Sequence, residues 1–213
     1  LQSAGGRGVL FGGGSGVRRG RVSVLGGGVA GLCAARVAAG MGADVTVFDV
    51  DVARMRYIDE VWGGRIGTRF SSPLAVREAC GESDVVIGSV LVPGARTPHL
   101  VDHEMVLGMV PGSVLVDVAV DQGGCFEDSH PTTHADPTFV VGGSVFYCVA
   151  NMPGAVPHTS TYALTNATMR YVLLLADEGW RGACGSRDDL RRGLATCGGK
   201  LVSAPVGEAL GIE

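Results

Sequence analysis

Charged residues are scarce in this chain, and lysine is nearly absent. Only 18% of the 213 residues are charged, and Lys200 is the single lysine. The phosphate-binding motif G-x-x-x-x-G-K-[ST] is therefore missing, and so is the G-x-S-x-G motif of many serine hydrolases. The net charge is −4 and arginine forms no long cluster, which excludes the basic surface of a nucleic-acid-binding domain.

The chain also lacks membrane, disulfide and metal signals. No apolar run reaches the roughly 18 residues of a membrane span, and the first 20 residues contain no apolar core of a signal peptide. No two of the six cysteines lie within ten residues of each other, so no C-x-x-C pair exists. His99 and His103 have the spacing of metal ligands, as do His130 and His134, but Pro131 interrupts the second pair and no acidic cluster accompanies the first. We expect a cytoplasmic protein with reduced thiols, no metal and no membrane partner.

Hydrophobic residues make up 46% of the chain, and in its first half they form apolar runs that alternate with helical patterns. Near-continuous apolar strands separated by helices predict an α/β fold: a doubly wound parallel sheet of Rossmann type, covered on both faces. The predicted strands are Arg21–Leu25, Asp44–Asp49, Val85–Val90 and Ser113–Val120, and the predicted helices are Val29–Met41, Val52–Val61, Pro73–Cys80 and Asp102–Met109.

The pattern changes after Asp121, where a polar loop is followed by two short strand patterns and then by helices. We predict a dinucleotide-binding domain over residues 1–156 and a helical C-terminal segment over residues 157–213, which is short for an independent domain. The elements predicted here are strands Thr138–Val141 and Val145–Val149 and helices Thr159–Glu178, Asp188–Ala195 and Val206–Leu210.

The glycine-rich stretch at residues 26–31 fits the motif G-x-G-x-x-G. It follows a predicted strand and opens a predicted helix, which is the context that gives the motif meaning. Gly26 permits a tight turn, Gly28 lets the backbone approach a pyrophosphate, and Gly31 lets the helix pack closely on the strand. The helix start, with Val29 and Ala30, offers free amide groups to the phosphate. A glycine-rich turn without a ligand is the alternative interpretation.

Asp49 ends the second predicted strand, 18 residues after Gly31. In a dinucleotide-binding unit, an acid at this place accepts hydrogen bonds from the ribose hydroxyls. Its charge repels a 2′-phosphate, so the sequence favours NAD over NADP as the cofactor. The alternative is a solvated aspartate without a ligand.

Ligands of open α/β sheets bind beyond the carboxyl ends of the strands. Leu91, which directly follows the predicted strand Val85–Val90, and Val118, near the end of the predicted strand Ser113–Val120, therefore join the candidate cofactor site. Asp121 follows the second of these strands and has two interpretations. It lies either where nicotinamide and substrate meet, or in a loop that it caps by accepting from Gly123 or Gly124.

Several stretches together resemble alanine dehydrogenase, and the resemblance covers nearly the whole chain. The transhydrogenase α-subunit shares the architecture, but the Asp-Gln-Gly-Gly and Asn-Met-Pro stretches point to alanine dehydrogenase. The stretches that carry the resemblance are residues 6–10, 24–31, 40–47, 84–88, 116–125, 131–134, 147–157 and 159–168.

The resemblance implies oxidation of L-alanine to pyruvate and ammonium with reduction of NAD, in a homo-hexameric enzyme. It implies that Asp121 is the catalytic aspartate and that Asp49 binds the ribose. The other positions that it implies for the cofactor are Ser71, Val90 and Val149 along the cofactor and Asn151 and Met152 beside the nicotinamide.

The resemblance also implies that residues 157–213 belong to a catalytic domain whose N-terminal half, with the substrate-binding Arg and Lys and the catalytic His, is absent here. We therefore expect this chain alone to be inactive, and its long helix to expose an apolar face. The alternatives are a transhydrogenase-like NAD(H)-binding domain and a non-catalytic dinucleotide-binding module.

Overall fold

A seven-stranded sheet forms the centre of the first part of the chain in a computed structural model, which describes residues 2–92 and 97–211. The strand order is β3-β2-β1-β4-β5-β7-β6, and all neighbouring pairs are parallel except β6 with β7. The predicted Rossmann-type parallel sheet is confirmed. The strands are β1 (Arg21–Leu25), β2 (Asp44–Asp49), β3 (Gly67–Phe70), β4 (Val85–Gly88), β5 (Val114–Asp117), β6 (Thr138–Val141) and β7 (Ser144–Tyr147).

Four helices accompany the parallel strands, and three of them begin at a side-chain cap. Asp51, Ser72 and Asp102 each accept hydrogen bonds from backbone amides of the first turn, which satisfies donors that a helix start leaves open. The helices are α1 (Val29–Gly40), α2 (Val52–Trp62), α3 (Pro73–Glu82) and α4 (His103–Leu107).

Apolar side chains cover both faces of the sheet, as the sequence predicted. Along β1, Val22 and Val24 pack with α1 and α2, whereas Leu25 packs with α3 and α4. This alternation follows from the two-residue period of a strand. The larger of the two clusters contains Phe126 and Phe146, whose rings meet edge to face at 6.1 Å.

Some predicted elements end earlier or later than expected. The strand predicted to reach Val120 ends at Asp117, because the chain then turns into a short 3₁₀ helix, Val120–Gln122. The strands predicted to reach Val90 and Val149 end at Gly88 and Tyr147, where their ladders with the neighbouring strands end. Strand β3 was not predicted, since Gly-Thr-Arg-Phe has no apolar run.

The chain divides into two compact units, and the described residues of the second begin at Asn151; the domain boundary at residues 156/157 stays a prediction. Helix α5 (Pro157–Ser186) contains a non-helical residue, Gly179, with φ 67°, so the predicted helix ends where the kink begins. The predicted helix over 188–195 ends at Arg192, because a short hairpin that was not predicted follows. The remaining elements are α6 (Asp188–Arg192), β8 (Thr196–Cys197), β9 (Lys200–Leu201) and α7 (Ala204–Leu210).

Helix α5 carries apolar side chains that are exposed, among them Leu164 and Leu173, as expected. Among the described residues, no helix is both long enough and apolar enough to cross a lipid bilayer.

Asp84 ties the N-terminal segment to the sheet just before β4. Its carboxylate is only 4% exposed and accepts hydrogen bonds from Arg7 at 2.9 Å and from Arg18 at 2.7 and 3.0 Å. The backbone amide of Arg21 donates a further bond at 2.9 Å. Burial raises the pKa of the Asp84 carboxyl, but the Arg18 and Arg21 hydrogen bonds and the arginine charges outweigh it, so the pKa lies below its usual value.

We expect Asp84→Asn to lower the free energy of unfolding by about 2 kcal/mol at pH 7, since hydrogen bonds to a charged group are lost. Because folding lowers the pKa of Asp84, its contribution is complete above the unfolded pKa of about 3.9 and disappears as the pH falls through the folded pKa. The difference between the variant and the parent chain should therefore shrink below about pH 4. Urea unfolding, monitored by the fluorescence of Trp62 in a Trp180→Phe background, measures this difference in the free energy of unfolding.

Glu82→Gln is the matched control, because Glu82 pairs with Arg21 at an exposed position. The Glu82→Gln substitution should lower the free energy of unfolding by less than about 1 kcal/mol. An equal loss in both variants, or a loss for Asp84→Asn that does not begin to shrink as the pH falls below about 4, contradicts the assigned role of Asp84.

Candidate functional site

A cleft of about 810 Å³ lies at the carboxyl ends of β1, β2, β4 and β5, and all the described residues that line it belong to the first unit. This edge of the sheet is where open α/β folds bind their ligands. The volume is in the range of small-molecule and cofactor sites. The lining contains these predicted site residues: Gly26, Gly28, Val29, Ala30, Asp49, Ser71, Val90, Leu91 and Val118.

Other lining residues were not predicted, because all except Phe48 come from turns and loops whose position depends on the whole sheet. Phe48 lies near the end of β2, while Pro98 and Leu100 belong to the stretch before α4. The full set of lining residues that the sequence analysis missed is Phe48, Val50, Ser89, Val92, Pro98, Leu100, Ala119 and Gln122.

The glycine turn at the floor of the cleft has no room for side chains at two positions. Gly26 has φ +101°, and a Cβ atom there would lie 3.0 Å from the backbone of Ser89. A Cβ atom on Gly31 would lie 1.9 Å from the carbonyl oxygen of Gly26 and 2.4 Å from the Ser89 hydroxyl. That hydroxyl donates to the carbonyl oxygens of Leu25 and Gly26 at 2.9 and 3.0 Å. The start of α1 is therefore held directly against the end of β1.

Gly28 leaves the start of α1 open toward the cleft. It is the N-cap residue and provides no side-chain hydrogen bond, unlike the caps of α2, α3 and α4. A Cβ atom on Gly28 would meet no atom of the described residues within 4 Å, so their packing does not require glycine here. The first amides of a helix form an anion-binding site when no side chain caps them. A phosphate group that approaches the backbone at Gly28 would explain both features.

Two backbone amides orient the Asp49 carboxylate at the end of β2. Its Oδ2 accepts from Gly27 N at 2.7 Å and its Oδ1 accepts from Asp51 N at 2.9 Å. The side chain is half-buried and lines the cleft. Each carboxylate oxygen has a second lone pair, so Asp49 can still accept hydrogen bonds from two ligand hydroxyls. Arg54 Nε donates to Gly27 O at 2.5 Å and fixes the same turn from outside.

Asp121 lies in the 3₁₀ turn after β5, and its side chain is exposed. It does not line the described part of the cleft, although its neighbour Gln122 does. The loop-cap interpretation of Asp121 is wrong, because Gly123 N and Gly124 N donate to the carbonyl oxygens of Val120 and Ala119. The catalytic interpretation stays a prediction.

The carboxylate that caps this loop is Asp117, which the sequence analysis missed. Asp117 is completely buried at the end of β5 and accepts hydrogen bonds from Ala119, Cys125 and Ser129. An aspartate directly after a buried apolar strand was the available sequence signal. That signal did not distinguish Asp117 from Asp121, four residues further on.

The remaining predicted site residues do not line the cleft. Val149 is buried and forms a β-bridge with Thr132. Asn151, which has φ 57°, and Met152 belong to the second unit. Their places beside a nicotinamide stay predictions.

The histidines and cysteines of the described chain form no metal site, since no three His, Cys, Asp or Glu side chains group together there. His103 pairs instead with Asp128 at 3.0 Å, and His130 stacks on Phe139. Burial raises the thiol pKa of Cys125 to about 12 and that of Cys148 to about 11. Both thiols are therefore neutral at pH 7 and poor nucleophiles.

Comparison with known proteins gives one family. The family model described as "Alanine dehydrogenase/PNT, C-terminal domain" matches residues 1–204. Alanine dehydrogenase of Mycolicibacterium smegmatis is 60% identical over 99% of this chain and 57% of its own length. Alanine dehydrogenase of Mycobacterium tuberculosis is 56% identical over 100% of this chain and 57% of its own length.

Comparison with solved structures gives the same family. An L-alanine dehydrogenase structure has a TM-score of 0.88 and 48% identity, over 99% of this chain and 58% of that one. The transhydrogenase of Sinorhizobium meliloti has a TM-score of 0.60 and 30% identity, over 68% of this chain and 42% of that one. This chain thus spans about 57% of the length of the curated relatives that it matches.

The second and third glycines of the motif, Gly28 and Gly31, should respond differently to substitution. We expect Gly31→Ala to lower the free energy of unfolding by about 3 kcal/mol, because its methyl group overlaps the Gly26 carbonyl and forces α1 away from β1. Gly28→Ala should change it by less than about 1 kcal/mol, since its methyl group enters open space. Urea unfolding of both variants tests this, and a similar loss in the two would show that packing does not explain the glycine at position 31.

Proposed function

The chain belongs to the alanine dehydrogenase/PNT C-terminal domain family, which is a family of NAD-binding domains, and we propose that its cleft binds NAD(H). We further propose that the protein to which it belongs is an L-alanine dehydrogenase, which converts L-alanine, NAD and water to pyruvate, ammonium and NADH. High identity to two proteins with that name over the whole chain supports the second proposal.

The observation that carries the NAD proposal is the combination of an uncapped helix start and an oriented carboxylate in one cleft. The open amides at Gly28 suit the pyrophosphate, whose negative charge the positive end of the helix dipole also attracts. Asp49 lies at the end of the adjacent strand and suits the adenosine ribose. A 2′-phosphate in the same place would meet the Asp49 charge, so NADH should bind more tightly than NADPH.

The chain's own residues contribute binding, orientation and exclusion of water. NAD, when bound, supplies the hydride acceptor for the substrate. The apolar side chains of Val90, Leu100 and Val118 line the cleft and would keep water from the nicotinamide face, which favours transfer between held partners. We propose Asp121 as the catalytic aspartate, with Asn151 and Met152 beside the nicotinamide.

Transhydrogenase-like NAD(H) binding is the second candidate function. The identity of 30% to a transhydrogenase structure, against 60% to an alanine dehydrogenase, favours alanine dehydrogenase. A non-catalytic dinucleotide-binding module is the third candidate. Assays of alanine-dependent NAD reduction by the whole protein distinguish it from alanine dehydrogenase. For the whole protein we propose a cytoplasmic homo-oligomer, a hexamer as the resemblance implies.

NADH should bind to the purified chain, and Asp49→Ala should raise its Kd by about tenfold, since two charge-assisted hydrogen bonds to the ribose are lost. The same substitution should reduce the preference for NADH over NADPH, because the repulsive charge is removed. Titration by NADH fluorescence and by calorimetry measures both changes.

Asp44→Ala is the matched control, because Asp44 is an exposed aspartate at the opposite end of the same strand, β2. Its Kd for NADH should equal that of the parent chain. A folded parent chain that fails to bind NADH contradicts the proposal, and an equal effect of both substitutions contradicts the role of Asp49.

Alanine-dependent NAD reduction should be undetectable with this chain alone, although NADH binds. The curated relatives are longer, and we propose that their substrate-binding cations and catalytic histidine lie in the length that this chain does not match. An absorbance assay at 340 nm with L-alanine tests this. Turnover would show that residues within this chain perform those roles.

A further inference from the structure

We propose that Asp117 is the positioning residue of the dinucleotide site: its buried carboxylate sets the place of the loop at residues 118–129 and, through that loop, both sides of the cleft around the proposed nicotinamide end. This inference rests on the proposed function. It concerns a residue that does not itself line the cleft and whose side chain is completely buried.

The Asp117 carboxylate joins the two ends of the loop. Oδ1 accepts from Ala119 N at 3.0 Å, just after the strand. Oδ2 accepts from Cys125 N at 2.8 Å and from the Ser129 hydroxyl at 2.5 Å, with a longer bond from Phe126 N at 3.4 Å. A buried carboxylate requires this many donors, because an unpaired buried charge is very unfavourable. The loop therefore has one arrangement that satisfies the charge.

The near end of this loop forms one side of the cleft directly. Val118, Ala119 and Gln122 line the cleft, and Ala119 is the residue whose amide Asp117 binds. The amides of Gln122 and Gly124 both donate to the carbonyl oxygen of Ala119. The position of Ala119 thus determines the turn that carries Gln122 and its neighbour Asp121.

The far end of the loop holds the facing side of the cleft through the backbone. Cys125, whose amide binds Asp117, accepts from Leu100 N at 2.8 Å and from Val101 N at 3.3 Å through its carbonyl oxygen. The carbonyl oxygen of Gln122 accepts from Thr97 N at 2.9 Å. Leu100 lines the cleft, so the same carboxylate supports side chains from two separate segments.

The space around the carboxylate is filled, which gives the loop little freedom to take another path. A Cβ atom on Gly124 would lie 2.8 Å from Asp117 Oδ2, and one on Gly88 would lie 2.6 Å from the Cβ atom of Cys125. Cys125 and Phe126 are completely buried. Movement of the loop would have to expose the Cys125 thiol, and this provides a probe that does not depend on a cofactor.

Asp117→Asn tests the proposal, because asparagine has the same shape but only one oxygen. Its amide group would face either Ala119 N or the Cys125 and Ser129 donors, so one end of the loop is released. We expect the alkylation rate of Cys125 by iodoacetamide, measured by mass spectrometry relative to buried Cys80, to rise about tenfold. The Kd for NADH should rise by about tenfold, with a smaller fluorescence enhancement of bound NADH.

Asp84→Asn is the matched control. Asp84 is also a buried aspartate with several donors, but it lies at the amino end of β4, away from the cleft. General destabilisation by Asp84→Asn should speed the alkylation of Cys80 and Cys125 equally. The ratio of the two alkylation rates and the affinity for NADH should therefore stay as in the parent chain. Ser129→Ala removes a single donor and should raise the ratio about threefold, which keeps the test available if Asp117→Asn does not fold.

Each outcome decides the proposal. The proposal is overturned if the alkylation rate of Cys125 relative to Cys80 stays unchanged in Ser129→Ala and in folded Asp117→Asn. It is also overturned if this ratio rises while the affinity for NADH and the fluorescence of bound NADH stay unchanged. If the parent chain does not bind NADH, the proposed function fails, and the alkylation ratio still decides whether Asp117 sets the position of the loop. An equal rise of the ratio in Asp84→Asn would show that Asp117 contributes only general stability.

Discussion

The close approach of α1 to the end of β1 is the constraint on which the cleft depends. With only 1.9 Å between a Cβ atom at Gly31 and the Gly26 carbonyl oxygen, any other residue at position 31 would push the helix away. The contact places the first turn of α1 directly above the strand ends. Because Gly28 adds no cap, the amides that the helix leaves unsatisfied point to the cleft rather than to a side chain.

Carboxylates that accept from backbone amides fix the rest of this edge. Asp49 holds the glycine turn through Gly27, and Asp117 holds the loop after β5 through Ala119 and Cys125. Charge-assisted bonds of this kind are stronger and more directional than apolar contacts. Asp49 lies in the lining and stays available to a ligand, whereas Asp117 is buried behind the lining and lets the surface near Val118 and Leu100 stay apolar and still keep a precise shape.

The sequence predicted the parts of the site that local spacing determines. Gly26, Gly31 and Asp49 could be placed from the motif and its flanking strands, because β1, α1 and β2 follow one another in the chain; their contact with Ser89 could not be predicted, since Ser89 follows the distant strand β4. Asp117 and Leu100 could not, since their roles depend on the path of the loop at residues 118–129 and on its backbone hydrogen bonds to residues 97–101. Asp117 ends β5 and Asp121 lies in the turn after it. Only the three-dimensional path of the loop shows that Asp117 is the buried acid.

In the proposed function, dinucleotide binding depends on the first unit of this chain, whereas turnover of a substrate also requires groups outside that unit. Every described residue of the cleft belongs to the first unit, and the glycine turn, Asp49 and Asp117 are complete within it. Asn151 and Met152, for which we propose contact with the nicotinamide, belong to the second unit. Cofactor affinity should therefore follow the integrity of the sheet edge, while the proposed catalysis requires Asp121 together with groups that this edge does not contain.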